Sequence, residues 1–417
     1  MKRLVLLGIL LFLSACAGRE PIFFQDAQLP ESQEKRSAPT VSVLLPLSGE
    51  SAEVGQALQK AALLSLFEHS TVPLKLLFFD TQSTPEGAVQ AYNWALAQKP
   101  NIILGPVFSS EVSAIINDGV SQPMLTFTSD TTVVKPDVAT LAVLIPDQLQ
   151  KLVRYACHQG QLRLAVLGPE NKTGEIAMNA LDEAIKVCPG MTLEKVSLYE
   201  GDTMNFTPAV LKILPKIYKD KGQLSPEEKE LAQTPMKNRI SFDALFVLES
   251  GIKLRQLGSL LNFYDISPRQ IPVYGLASTK QVQDKVVNGI IFADVEDAGY
   301  SRFARNYLHQ FGKSPIRLTS LMYDALNMVF DHAAVDVSMD SLRHIPYQGV
   351  DGLVSLQEDG SNRRALQLVS KLGGRTLLIQ SAQFANDSMD STGSATRSIG
   401  STSMFPEASD ESPVSFE

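Results

Sequence analysis

Cysteine is scarce. The 417 residues contain three, Cys16, Cys157 and Cys188, and no two are spaced as CxxC. That spacing excludes a zinc ribbon or a thioredoxin-like redox pair. The five histidines, His69, His158, His309, His332 and His344, are scattered without HExxH spacing. They suggest surface or capping roles, and no metal site is expected. Walker A, GxGxxG and GxSxG patterns are all absent, which removes the common phosphate-cradling loops and the nucleophile elbow. A catalytic triad built from distant residues stays open, because triads are geometric. The expectation is a protein with no catalytic residues, no metal and no cofactor. Positive charge is not in excess. The net charge of −8 argues against a nucleic-acid partner. Long apolar runs are missing too: the most extended, 4–13, is about half of a bilayer span.

That short run carries information of its own. Met1-Lys2-Arg3 precedes it, and Ser14-Ala15-Cys16 follows. A basic start, a brief apolar stretch and small residues describe an export signal, here 1–15. Leu13-Ser14-Ala15-Cys16 resembles a bacterial lipobox, which implies cleavage before Cys16 and lipidation of its thiol; an ordinary signal peptide with an incidental cysteine is the plainer alternative. Ala17, where an Asp often marks inner-membrane retention, implies sorting to the outer membrane. Three acyl chains hold firmly where one does not. The polar stretch 16–39 reads as a flexible tether, and the Ser/Asp/Thr/Gly-rich stretch 382–417 as a disordered tail. In an oxidising periplasm Cys157 and Cys188 can pair as a disulfide; two separate buried thiols are the alternative.

The body, 40–381, alternates strand and helix. Val41–Leu45 is a strand leading to Ser48-Gly49, and a helix follows with Val54, Leu58, Ala61, Ala62 and Leu66 on one face. Strand-like runs recur at 74–79, 102–104 and 123–127, with a helix at 85–98. The pattern restarts with a helix at 148–158, a strand at 162–167 and a helix at 175–187. Later strands fall at 244–248, 272–275 and 290–293, and helices at 301–311 and 319–332. Short, continuously apolar strands of this kind fit parallel sheets covered on both faces. The expected fold class is α/β, with two Rossmann-like lobes.

Ligands of open parallel sheets bind beyond the carboxyl ends of strands. The polar loops there hold Ser48, Ser109, Ser110, Thr126 and Thr128. Thr173 and Glu249 occupy similar places in the second half. Hydroxyls beside helix N-termini can hold an anion; serving only as N-caps is the commoner use.

Several segments together are similar to type I periplasmic binding proteins of the leucine/isoleucine/valine-binding group. They are 43–55 (VLLPLSGESAEVG), 103–114 (ILGPVFSSEVSA), 122–130 (QPMLTFTSD), 303–315 (FARNYLHQFGKSP), 323–325 (YDA) and 349–363 (GVDGLVSLQEDGSNR). The resemblance implies two lobes joined by a three-crossover hinge. Lobe 1 takes about 40–145 and 294–346, and lobe 2 about 146–293 and 347–381. It also implies a cleft in which Ser109, Ser110, Thr126 and Thr128 hold a carboxylate. Two positions depart from the amino-acid-binding pattern. Thr173-Gly174 replaces a tyrosine before glycine, and Leu276-Ala277 follows Gly275 where an acid usually meets the ammonium. A buried ammonium needs such a partner, and Glu170 or Glu249 can supply it only from elsewhere.

The stretch 242–277 (FDALFVLESGIKLRQLGSLLNFYDISPRQIPVYGLA) resembles penicillin-binding protein activators. These are outer-membrane lipoproteins that stimulate peptidoglycan synthases. They also carry a charged helical insert, here 206–239, with Lys212, Lys216, Lys219, Lys221, Lys229, Lys237 and Arg239. Some have a helical-repeat domain ahead of the binding domain, where this sequence shows the tether. The leading expectation is therefore a non-catalytic activator that engages a penicillin-binding protein. The alternative is a solute-binding lipoprotein serving an ABC permease for branched-chain amino acids or related molecules. In both, the protein sits in the periplasm on a lipid anchor.

Overall fold

The computed structural model describes residues 38–215, 225–231, 233–333 and 336–384. The signal segment, Cys16, nearly all of the tether, Lys216, Lys219, Lys221 and the tail beyond 384 lie outside them.

The first lobe begins with β1 (Thr40–Leu45), α1 (Ala52–Glu68), β2 (Lys75–Asp80), α2 (Pro85–Ala97), β3 (Ile102–Leu104), α3 (Ser109–Asp118), β4 (Met124–Thr126) and β5 (Val138–Thr140). All five strands are parallel, in the order β2-β1-β3-β4-β5. Apart from the half-buried edge strand β2, their β-branched and leucine side chains are buried on both faces, as a helix-covered parallel sheet requires. Leu44, Tyr92, Ile103, Val112 and Ile115 fill one side. Val43, Leu58, Leu104, Phe303 and Met322 fill the other. α2 starts where it does because Pro85 sits in its first turn and the Thr84 side chain accepts from Gly87 N–H.

The second lobe repeats the plan. It contains α4 (Ile145–His158), β6 (Arg163–Glu170), α5 (Lys172–Ile185), β7 (Thr192–Glu200), α6 (Thr207–Ile213), α7 (Pro226–Leu231), α8 (Met236–Arg239), β8 (Ala244–Val247), α9 (Gly251–Phe263), β9 (Val273–Gly275) and β10 (Ile291–Asp294). The parallel order β7-β6-β8-β9-β10 matches that of the first sheet. The chain returns to the first core through α10 (Ala298–Phe311), α11 (Thr319–His332) and α12 (Met339–Arg343). A small antiparallel sheet follows, β11 (Tyr347–Gly349), β12 (Gly352–Leu356) and β13 (Asn362–Arg364). Val354 and Leu356 are buried in the first core, so 347–364 packs with the first sheet, although the family resemblance implied the second lobe. β14 (Leu366–Leu372) and β15 (Arg375–Gln383) then extend the second sheet antiparallel. β15 thus carries ordered strand to Gln383, just past the expected start of the tail.

Each lobe places a glycine where its first helix crosses the end of its first strand. A Cβ on Gly55 would lie 2.0 Å from the Pro46 carbonyl oxygen, and one on Gly174 1.8 Å from that of Pro169. Close approach of helix to strand therefore demands glycine at both positions. Cys157, in the last turn of α4, and Cys188, just past α5, are joined in a disulfide with Cα atoms 6.1 Å apart.

Candidate binding cleft

In both parallel sheets the chain reverses its direction of travel between the first and third strands. These switch points lie between β1 and β3 and between β6 and β8. Diverging loops open a crevice at such points. The loops after β1 and β3 carry Ser48, Ser109 and Ser110; those after β6 and β8 carry Glu170, Thr173 and Glu249.

Ser48 is exposed, and its N–H donates to Asp80 Oδ1 at 3.1 Å. Leu47 N–H and Gln82 N–H donate to the same oxygen at 2.9 and 2.8 Å. Burial works against charge on Asp80, but these bonds and one from the Ser48 hydroxyl outweigh it and lower the pKa. Ser109 and Ser110 open α3 without a side-chain cap of their own. The N-terminal turn is served by Glu111, which is buried and reaches back toward Phe108 N–H at 3.5 Å. Glu111 Oε1 also accepts from the Thr81 hydroxyl at 2.7 Å. Burial raises its pKa against these bonds. The Ser109 and Ser110 hydroxyls thus have no capping duty.

The two threonines are placed differently. Thr126 is wholly buried, and its hydroxyl donates to Ala139 O at 3.0 Å. Thr128 Oγ1 accepts from Asp130 N–H at 3.1 Å, and its carbonyl accepts from the Thr140 hydroxyl at 2.5 Å. The Thr126 hydroxyl ties β4 to β5, and the Thr128 hydroxyl closes the turn that follows β4. On the second lobe Thr173 is exposed at the start of α5, whose cap is Asn171 Oδ1 on Gly174 N–H at 3.1 Å. Glu249 lies two residues past β8 and is held on two sides: Tyr199 OH donates to Oε2 at 2.8 Å, and Ser250 N–H donates to Oε1 at 3.0 Å. Burial, then the bond to Glu249, pushes the Tyr199 hydroxyl pKa up. Sequence reasoning missed Tyr199 because β7 is a polar edge strand with little apolar signal. It also missed Glu111, which looked like any helix residue.

After Gly275, Ala277 N–H donates to Gln148 Oε1 at 2.8 Å. Lys280 Nζ binds Asp294 Oδ2 and Asp297 Oδ1 at 2.8 and 2.5 Å. This end of β9 carries a cation, whereas Glu170 ends β6 and Glu249 follows the neighbouring β8. Among the described residues no group of three or more His, Cys, Asp or Glu is arranged to hold a metal ion. No described helix is long and apolar enough to cross a membrane.

Residues 39–215 match the family model described as periplasmic binding protein. No curated protein matches the sequence. Solved structures do match. An ABC transporter substrate-binding protein from Sphaerobacter thermophilus aligns with a TM-score of 0.63 at 15% identity, covering 82% of this chain and 96% of that one. The branched-chain amino acid transporter substrate-binding protein from Streptococcus pneumoniae, solved with isoleucine, gives 0.55 at 15% identity, covering 82% and 99%. A solute-binding protein from Rhodopseudomonas palustris, solved with 3,4-dihydroxybenzoic acid, gives 0.58 at 16% identity, covering 84% and 97%. The two bound molecules differ in chemistry, so this fold alone does not select a ligand. With the family model matching 39–215, from β1 through α6, and five parallel strands in one order in each lobe, the fold is that of the type I periplasmic binding proteins.

Proposed function

We propose that this protein binds a small organic solute between the carboxyl ends of its two parallel sheets and delivers it to an ABC permease. One observation carries the reading: both sheets share one strand order, and each switch point presents polar groups. Ser48, Ser109 and Ser110 stand on the first, and Glu170, Thr173 and Glu249 on the second. The structural relatives named above as transporter components support the permease as partner. The solute carries an amino group, because Glu249, fixed by Tyr199 and Ser250, supplies the carboxylate missing after Gly275. Its remaining polar groups meet the serine hydroxyls, since that of Thr126 donates inside the fold. The protein is exported to the periplasm, and Cys16 anchors it there by lipid.

Calorimetric titration of wild type and Glu249→Gln with a panel of amino acids and amines tests this. A ligand bound by the wild type and lost or weakened at least tenfold in Glu249→Gln, about 1.4 kcal/mol, is the expected result. Equal affinity for both proteins would remove Glu249 from the site.

A second reading, activation of a penicillin-binding protein, is favoured by the insert 206–239. Phe206, Val210, Ile213, Leu214 and Met236 seal the second core from this segment, while Lys212, Lys229 and Lys237 face solvent. A segment fixed by its apolar side and charged on the other suits a protein partner. Charge reversal at these lysines that leaves synthase binding unchanged would eliminate it.

A further inference from the structure

The three chain segments that cross between the sheets are tied together by two residues of the last one. Arg364, at the end of β13, donates its backbone N–H to Asp147 Oδ2 at 3.2 Å and its Nε to Ala142 O at 3.1 Å. Ala142 lies in the first crossover and Asp147 in the first turn of α4. Gln367 Nε2 donates to Val295 O, in the second crossover, at 3.0 Å. Arg364 is wholly buried, yet its Nη1 and Nη2 make no hydrogen bond to a described residue. A buried guanidinium with two idle nitrogens is costly, so this clamp is poised to rearrange.

We propose that the hinge is a pH-dependent latch, in which proton binding to Asp147 favours the packed crossover and proton loss favours an opened one where its carboxylate meets water. Asp147 is the acid that links the start of the second lobe to the third crossover. The charged groups facing it are Arg363 and Arg364 on β13. Behind Arg364 stand Asp351, Asp324 and Arg317. Arg317 Nη1 and the Ser320 hydroxyl occupy the two Asp351 oxygens at 2.5 and 2.6 Å. Burial pushes Asp147 up to about 6, against the Arg364 N–H bond and the two arginine charges. A raised acid pKa means that the packed state is favoured at low pH and loses ground as pH rises through about 6. The equilibrium between packed and opened crossover then changes by up to about a hundredfold in all between about pH 3 and about pH 7, of which about tenfold falls above about pH 5.

Spin labels on a Gln98→Cys/Asp182→Cys protein, with Cys157–Cys188 kept oxidised, report the distance between lobes. The distance distribution of otherwise wild-type protein should change between about pH 4 and 7.5, the packed population falling as pH rises and levelling off above about 6. Asp147→Asn should hold the low-pH distribution throughout. Arg363→Gln removes a charge that favours ionised Asp147, so its midpoint should move upward. A wild-type distribution that ignores pH, an Asn variant that keeps the full response, or an Arg363→Gln midpoint that stays in place would each overturn the latch.

Discussion

Breaking the Cys157–Cys188 bond should weaken the second lobe by a calculable amount. The bond joins α4 to the end of α5 across a sequence separation of 31 residues. Cys188 is buried with Ala177, Leu181 and Ala184 against Leu164 and Val166. The crosslink therefore closes a loop containing β6 and α5, two elements that build the second switch point. In the chain-entropy treatment, loop closure of this length removes about 12 cal/mol/K from the unfolded chain, or about 3.7 kcal/mol at 25 °C. Cys157→Ala/Cys188→Ala loses that term plus a small cavity. Urea denaturation followed by far-ultraviolet circular dichroism should show a midpoint lowered by roughly 1–2 M, given a urea slope of about 2–3 kcal/mol/M for a domain of this size. Wild-type protein in reductant should behave like the variant, and the variant should ignore reductant. Two free thiols in denatured, non-reduced protein, or unchanged midpoints, would refute the reasoning.

Two further outcomes follow from the same geometry. Asp324 is fully buried and accepts from Val350 N–H at 2.9 Å; burial, then the neighbouring Asp351, pushes its pKa up to about 7. Its contribution is complete near pH 4 and lost as pH rises through 7, at most about 4 kcal/mol, so Asp324→Asn should flatten stability measured by urea melts between pH 5 and 8. Gly174→Ala forces a Cβ onto the Pro169 carbonyl and should cost at least about 1–3 kcal/mol, with a lower thermal midpoint; an unchanged midpoint would contradict the close helix-to-strand packing.

The alternation of short apolar runs and helical faces located both parallel sheets, because helix-covered strands are apolar on both sides and stand out. β5 escaped notice because Val138–Thr140 is followed directly by more apolar residues, Leu141-Ala142-Val143-Leu144, with no turn signal to bound it. β7 escaped because five of its nine residues are exposed, as on an edge. α5 begins at Lys172, not Glu175, since Asn171 caps it. The positions of Ser48, Ser109 and Ser110 beyond the ends of β1 and β3 were legible, because a short apolar strand followed by a polar loop and a helical face stands out in the sequence. That Thr126 and Thr128 turn inward was not, since a hydroxyl's direction depends on the neighbouring β5 that the pattern did not reveal. The Glu249–Tyr199 pair was equally hidden: its partners are 50 residues apart in sequence.

Solute binding itself is the claim on which the rest depends, and thermal denaturation of the full chain in the presence of single amino acids, amines and aromatic acids tests it most directly. The account predicts that at least one amino-bearing solute raises the midpoint in a saturable way, reaching about 2.7 kcal/mol at a hundred times its dissociation constant. A midpoint unmoved by every solute, together with retention of a penicillin-binding protein by the immobilised chain, would contradict it.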